Sequence, residues 1–138
     1  MQTTRDAILV LCTGNSARSQ MAEGLLRRAA GDRFDIFSAG TKPSSLRAEA
    51  IAVMAEIGID IHEEFPKPWT DAIVRAVDMV ISMGCGDVCP IYPGKRFIDW
   101  DLDDPEGRDL IAVRVIRDEI RGRVEELVTN LGVASSVG

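Results

Sequence analysis

The sequence predicts an α/β fold with a small doubly wound, four-stranded parallel sheet flanked by helices. Three observations lead to this prediction. Short apolar runs typical of buried strands alternate along the chain with segments of helical periodicity. No internal repeat or long linker divides the sequence, and its 138 residues match the length of one domain. We therefore expect a single domain over residues 1–138, with an ordered core at about 6–132.

Four segments predict the strands. Residues 7–12 form a continuous apolar run, which is typical of a strand buried on both faces. Further strands are predicted at 34–38, at 77–83 and, as a shorter one, at 96–100. Because strands that alternate with helices are joined by right-handed crossovers, we expect the strands to be parallel.

Helices are predicted between and after these strands. Apolar residues recur at helical spacing at 21–30 and at 46–57, and each of these segments is followed by a glycine. Thr70 is a candidate N-cap for a short helix that begins at Asp71. A long amphipathic helix is predicted from Arg108 onward. We expect the solvated face of this helix to carry its arginines, namely Arg114, Arg117, Arg121 and Arg123.

The charge and the cysteine content narrow the functional classes. A formal net charge of −6 argues against a nucleic-acid binder, so an anionic ligand would need a local positive site. The apolar run near the N-terminus is too short for a membrane span or a signal-peptide core, which predicts a cytoplasmic protein. Three cysteines are an odd number, so a structural disulfide framework would leave one over. In a reducing compartment structural disulfides are rare, so the cysteines favour a catalytic or redox role.

Chemical groups follow the predicted strands at their carboxyl ends. Cys12 ends the first strand, Cys85 follows the third, and Asp103 and Asp104 follow the fourth. The carboxyl ends of parallel strands lie at one edge of the sheet, where α/β proteins bind ligands. We therefore expect these groups to meet at one site.

Residues 12–19, CTGNSARS, connect the first strand to the first helix, and we call them the anion loop. Backbone N–H groups at such a helix start, together with the helix dipole, attract a tetrahedral oxyanion. Arg18 adds a planar fork of donors for two of its oxygens, and the same positive field favours a nucleophilic thiolate at Cys12. The residues predicted to bind the oxyanion are Thr13, Gly14, Asn15, Ser16, Ala17, Arg18 and Ser19.

The anion loop and its preceding strand resemble the phosphate loop of low-molecular-weight protein tyrosine phosphatases and of their relatives, the arsenate reductases. The sequence LDDP at 102–105 resembles the general-acid loop of the same fold. The resemblance covers nearly the whole chain. It implies that Cys12 is the nucleophile and that Arg18 holds the oxyanion. It also implies that Asp104 donates the proton, with Asp103 as the alternative donor.

The sequence MGCGDVCP at 83–90 holds the other two cysteines and favours a reductase over a phosphatase. A phosphatase needs no thiol beyond its nucleophile, whereas a reductase must supply two electrons and be regenerated by resolving thiols. Cys85 and Cys89 meet that need, and the pattern resembles thioredoxin-coupled arsenate reductases. The resemblance implies that Cys12 attacks arsenate, that Cys85 resolves Cys12, and that Cys89 resolves Cys85.

The resemblance also implies the substrate and the partners. Arsenate is the expected substrate, and thioredoxin the expected reductant of a Cys85–Cys89 disulfide. A low-molecular-weight thiol with a glutaredoxin-like protein is the alternative reductant, but it could resolve Cys12 without that pair of cysteines. No cofactor, resident metal, nucleic acid or membrane is expected.

Some members of the family bind potassium beside the anion loop. Asn15, Ser19 and Glu23 match that site, but Lys67 stands where an acidic ligand would be expected. One hypothesis is that the Lys67 ammonium replaces the ion, in which case added potassium should leave the activity unchanged. The alternative is that Lys67 is a solvated surface lysine.

Two other functions also fit the residues. A phosphatase acting on phosphotyrosine or small phosphoesters would use the same loops, although neither the anion loop nor the acid loop carries the aromatic residue that often holds a phenyl ring. A zinc or arsenite binder could use Cys12, Cys85, Cys89 and His62. Such a site would place Arg18 beside a cation that it repels. We expect His62, the one histidine, to lie on the surface instead.

Overall fold

The computed structural model describes residues 6–83, 96–105 and 107–131. Within these ranges the chain forms a parallel sheet with helices on both faces, which confirms the predicted fold class. The strands are β1 (Asp6–Cys12), β2 (Phe34–Gly40), β3 (Met79–Met83) and β4 (Arg96–Asp99). The helices are α1 (Arg18–Ala30), α2 (Ala48–Ala55), α3 (Asp71–Ala76) and α4 (Leu110–Asn130). No helix in this part of the chain is both long and apolar enough to cross a membrane.

The strand order is β2-β1-β3-β4, and the paired strands are parallel. β1 is therefore flanked on both sides: Cys12 aligns with Gly40 of β2 and with Met83 of β3. The chain passes from β1 to β2 on one side of β1 and later to β3 on the other side. Such a reversal opens a crevice at the carboxyl ends of the strands, and ligands bind there in open α/β sheets. Cys12 lies at this crevice.

The side chains of β1 alternate between two apolar cores. Ile8 and Val10 pack with residues of α1, α2 and α4 on one face of the sheet. Leu9 and Leu11 pack on the other face, where Val74 of α3 covers them. Burying one aliphatic side chain of this size contributes about 1.5–3 kcal/mol. The strand that carries Cys12 is thus firmly anchored on both faces.

β2 and α2 differ in length from their predictions, and backbone hydrogen bonds explain both differences. β2 continues past residue 38 because its ladder with β1 extends to Gly40. α2 begins at Ala48 and not at 46, since the backbone of Arg47 is extended and its N–H donates to Ser16 O at 3.0 Å. The residues before α2 therefore belong to the surroundings of the anion loop.

The prediction of a solvated arginine face on α4 is wrong at Arg117, which is only 6% exposed. Its Nη1 donates to Val53 O at 2.8 Å and to Glu56 Oε1 at 2.7 Å, and its Nη2 pairs with Asp118. Arg114 donates to both oxygens of the same Glu56. Helical spacing assigns residues to a face of α4, but it does not show that a glutamate of α2 draws one arginine into the contact between the helices.

These ion pairs make the stability of the fold depend on acid. Hydrogen bonds from Arg114 and Arg117 hold the pKa of Glu56 at about 2, below its ordinary value of 4.5. A carboxyl group with a lowered pKa stabilises the fold above its unfolded pKa, and this contribution is lost as the pH falls through the folded pKa. We expect Glu56→Gln to unfold at a lower urea concentration than the wild type at neutral pH, with a gap that closes between pH 4.5 and about 2. Urea unfolding of both proteins across that pH range measures the difference between their midpoints. A difference that does not change with pH would contradict the lowered pKa of Glu56.

Candidate active site

The thiol of Cys12 is buried, with 2% of the residue exposed. The N–H of Asn15 donates to Cys12 Sγ at 3.2 Å, and Ser19 Oγ lies 2.9 Å from the same sulfur. Asn15 Nδ2 donates to Ser19 Oγ at 2.7 Å, which leaves the hydroxyl proton of Ser19 free to point at the sulfur. Two donors therefore face Cys12 Sγ, and such donors stabilise a negative charge on it.

Asn15 gives the anion loop its shape. Its φ of 48° lies in the left-handed region, which asparagine tolerates better than most residues, and it is fully buried. Asn15 Oδ1 accepts from the N–H of Lys67 at 2.7 Å and from Gln20 Nε2 at 3.1 Å. Together with the bonds to Cys12 and Ser19, these contacts hold a backbone conformation that costs about 1–3 kcal/mol.

Residues 41–47, which we call the flanking segment, run alongside the anion loop. Gly40 permits this approach, because a Cβ there would lie 2.7 Å from Thr13 O and 2.9 Å from Asn15 N. Since the bonds between the two segments use carbonyl oxygens of the anion loop, they leave its N–H groups to other partners. The N–H groups of Thr41, Lys42, Ser44 and Arg47 donate to the carbonyl oxygens of Cys12, Thr13, Gly14 and Ser16, respectively, at 2.8 to 3.1 Å.

Arg18 and Asp104 share a cavity of about 270 Å³ beside the anion loop. Arg18 Nη2 lies 3.9 Å from Asp104 Oδ1, and the Arg18 side chain is 8% exposed whereas that of Asp104 is 59% exposed. Asp103 does not line the cavity. The lining residues are Thr13, Gly14, Ser16, Arg18, Lys42, Ser44, Ser45, Arg47 and Asp104. The structure thus brings the predicted oxyanion clamp together with one of the two candidate proton donors.

Over residues 7–136 the chain matches the family described as low molecular weight phosphotyrosine protein phosphatase. The chain belongs to this phosphatase family. The match includes the anion loop, the flanking segment and Asp104, so the family resemblance covers every part of the cavity described above.

Curated relatives of this phosphatase-family protein carry the name arsenate reductase. One from Halalkalibacterium halodurans is 40% identical, over 88% of this chain and 94% of the relative. A glutaredoxin arsenate reductase from Synechocystis sp. is 35% identical, over 90% of this chain and 97% of the relative. The solved thioredoxin-dependent arsenate reductase of Corynebacterium glutamicum is 40% identical and superposes with a TM-score of 0.84 over 97% of this chain, which spans 65% of that longer one.

The described residues of this phosphatase-family protein include only part of the predicted site. The anion loop, Arg18 and Asp104 meet at the carboxyl edge of the sheet. Cys85 and Cys89 lie outside the described residues, so their roles stay predictions. His62 is on the surface as predicted, with its side chain 60% exposed and bonded to Asp60. Among the described residues, no group of three or more His, Cys, Asp and Glu side chains could hold a metal ion.

The sequence did not predict Lys42, Ser44, Ser45 or Arg47 as site residues. They line the cavity because the flanking segment folds against the anion loop. One signal was available: the flanking segment follows the carboxyl end of a strand next to β1, which is the edge where ligands bind. Their charges gave no such signal, since lysines and arginines in turns usually face water.

The potassium site known from some members of the phosphatase family does not fit these side chains. Glu23 is buried, its Oε1 accepts from Ser38 Oγ at 2.7 Å, and its Oε2 pairs with Arg27 Nη2 at 2.7 Å. Burial raises the pKa of Glu23, and the bond from Ser38 and the charges of Arg27 and Lys67 oppose this rise. Asn15 Oδ1 already accepts two N–H groups, and Lys67 Nζ donates to a backbone carbonyl at 3.0 Å. Protein donors thus occupy these acceptors.

Proposed function

We propose that this protein reduces arsenate to arsenite, with Cys12 as the nucleophile. The observation that carries the proposal is a buried thiol faced by two donors, next to a cavity shared by Arg18 and Asp104. A tetrahedral dianion such as arsenate suits the guanidinium fork and the N–H groups of the loop. The names of relatives at 35% and 40% identity support arsenate over other oxyanions.

The first step forms a bond between sulfur and arsenic. The Cys12 thiolate attacks arsenic(V) while Arg18 holds two of the substrate oxygens. Asp104 protonates the oxygen that departs, which leaves as water. Arsenic remains pentavalent in the Cys12 adduct, because the sulfur has replaced one oxygen and no electrons have yet been transferred.

The second step transfers the electrons. β3 ends at Met83, the Cα partner of Cys12, and Cys85 follows two positions later in the sequence. Two residues of extended chain span at most about 7 Å, so this covalent tether favours Cys85 as the resolving thiol. The Cys85 thiolate attacks Cys12 Sγ, and the electron pair of the sulfur–arsenic bond passes to arsenic. Arsenite leaves, and a Cys12–Cys85 disulfide remains.

The third step regenerates Cys12. The Cys89 thiolate attacks Cys85 Sγ, Cys12 leaves as a thiolate, and a Cys85–Cys89 disulfide forms. An external dithiol protein then supplies two electrons to reduce that disulfide. We propose thioredoxin, supported by the structural relative that is named thioredoxin-dependent. This exchange requires a compartment in which thiols are kept reduced, which we propose is the cytoplasm.

Arsenate-dependent oxidation of NADPH tests the proposed function. The assay contains thioredoxin and its reductase, and a parallel assay contains a low-molecular-weight thiol with a glutaredoxin, since a glutaredoxin arsenate reductase is among the relatives. We expect a rate in the first assay that disappears without arsenate or without thioredoxin. Phosphate in place of arsenate is the matched control, because it has the same shape and is not reduced. No arsenate-dependent rate in either assay would overturn the proposal, and a rate in the second assay alone would overturn the choice of thioredoxin.

A phosphatase is the second candidate function, and membership of the phosphatase family favours it. Cys12, Arg18 and Asp104 would then attack, hold and protonate a phosphate ester. Apart from Gly14, the described residues that line the cavity have polar or charged side chains, and none of them offers an aromatic ring to hold a phenyl group. Rapid hydrolysis of an aryl phosphate, combined with no arsenate-dependent oxidation of NADPH, would favour this second function.

Asp104→Asn tests the proton donor, and Asp103→Asn is its matched control. The amide nearly preserves the shape of the carboxyl group but cannot supply the acidic proton, so we expect the first step in Asp104→Asn to slow by about 10²–10⁴-fold. Asp103→Asn should keep nearly the wild-type rate, because Asp103 does not line the cavity. Single-turnover formation of arsenite measures both variants. A larger loss in Asp103→Asn would transfer the role to Asp103.

A further inference from the structure

The flanking segment adds positive charge to the mouth of the site. Its backbone is fixed to the anion loop by the hydrogen bonds of Thr41, Lys42, Ser44 and Arg47. As a result the side chains of Lys42 and Arg47 line the same cavity as Arg18. These three cations outnumber the one carboxylate in the lining, that of Asp104. The concentration of charge is notable in a chain whose formal net charge is −6.

Arg47 is only weakly engaged by other residues. Its closest described acidic partner is Glu49, with 3.5 Å between Arg47 Nη2 and Glu49 Oε1. That pair is partly exposed, and such pairs contribute little. Arg47 Nε is buried and has no hydrogen-bond partner among the described residues. The guanidinium group therefore keeps donors and charge for a ligand, and the exposed Lys42, which lines the same cavity, provides a second cation that remains hydrated.

We propose that Lys42 and Arg47 form an outer subsite at the mouth of the cavity that binds a tetrahedral dianion. The subsite attracts the dianion before it reaches the anion loop, and it continues to stabilise the negative charge while the loop holds the dianion. Ser44 and Ser45 line the same mouth and offer hydroxyl groups to the oxygens of the anion. For arsenate as substrate this inference rests on the proposed function. For inorganic phosphate, which has the same shape and charge, the inference does not depend on the proposed function.

The subsite acts on capture of the anion and not on the chemical step. Fixed positive charges in a cleft raise the local concentration of an anion and its rate of association, and salt weakens this effect. Lys42 and Arg47 should therefore contribute to kcat/KM and to anion affinity, while kcat stays with Cys12, Arg18 and Asp104. A purely structural role for the two side chains would not produce this split or its salt dependence.

The test compares Lys42→Gln and the double variant Lys42→Gln with Arg47→Gln against Arg33→Gln. Arg33 is exposed and lies directly before β2, away from the carboxyl edge, so its variant makes the same change of charge outside the cavity. The first readout is the dissociation constant of inorganic phosphate, measured by calorimetry at low and at high salt. The second is kcat and kcat/KM with arsenate. The conservative variant Lys42→Arg keeps the charge, so its phosphate dissociation constant and its kinetic constants should equal those of the wild type.

At low salt we expect the phosphate dissociation constant to rise about fivefold in Lys42→Gln and about tenfold or more in the double variant. The increase should shrink at high salt, with kcat unchanged and Arg33→Gln like the wild type. An unchanged phosphate affinity in Lys42→Gln, which alters only an exposed side chain, would overturn the subsite. So would an equal loss in Arg33→Gln. If phosphate affinity falls as expected while no arsenate is reduced, the subsite stands and the proposed function fails.

Discussion

We expect Cys12→Ser to abolish arsenate reduction while the protein still folds and still binds phosphate. A serine hydroxyl is slightly smaller than the thiol but can form the same hydrogen bonds, so Asn15 and Ser19 retain a partner. It is a far weaker nucleophile, and its oxygen cannot form the disulfide by which the proposed relay releases arsenite. Removal of a catalytic nucleophile typically costs 10⁴-fold or more, so arsenite formation should fall by at least about that factor.

Two measurements on Cys12→Ser separate chemistry from structure. Calorimetry with phosphate should show binding close to that of the wild type, because Arg18 and the loop N–H groups are unchanged. Arsenite measured after prolonged incubation with thioredoxin and its reductase should stay at background. If Cys12→Ser retained about a tenth of the wild-type turnover, Cys12 would not be the nucleophile.

Cys89→Ser should complete about one turnover and then stop. In the proposed relay, Cys12 and Cys85 still reduce one arsenate per chain, and the product is a Cys12–Cys85 disulfide. Without Cys89 the proposed Cys85–Cys89 disulfide cannot form, and the remaining disulfide includes the buried Cys12. We expect a burst of about one arsenite per protein chain, followed by a steady rate at least about tenfold below that of the wild type.

Cys85→Ser is the matched control for the order of the relay. It removes the thiol that we propose attacks Cys12, so we expect much less than one arsenite per chain even in the burst. Mass spectrometry of the two variants after one turnover identifies which cysteines are joined. Sustained thioredoxin-driven turnover by Cys89→Ser would rule out the relay, and a phosphatase would tolerate either change.

The strand pattern and the position of Cys12 at the end of β1 could be predicted because they depend on local sequence. The apolar run before Cys12 predicts β1, and the turn after it predicts a loop that faces a helix start. Thr70 is confirmed as an N-cap, since its side chain accepts from Ile73 N. Each of these features is determined within a few residues, so periodicity and turn chemistry are sufficient to find it.

The features that could not be predicted depend on contacts between distant segments. The start of α2 is determined by a hydrogen bond from Arg47 to Ser16, which no helical spacing reveals. Arg117 is buried because Glu56 of another helix pairs with it. Asn15 adopts a positive φ because Gln20 and the N–H of Lys67 hold its side chain. In each case a tertiary partner overrides the local preference.

The support of the anion loop by remote parts of the chain links ligand binding to the lifetime of the protein. The loop is held by Arg47 and Lys67 and borders Met83, so only a nearly complete native chain can form it. An oxyanion that binds this state and not the unfolded chain shifts the folding equilibrium by mass action, by about 2.7 kcal/mol at a hundred times its Kd. Because proteolysis acts on the unfolded population, the supply of oxyanion then affects how much of the protein survives as well as how fast it works.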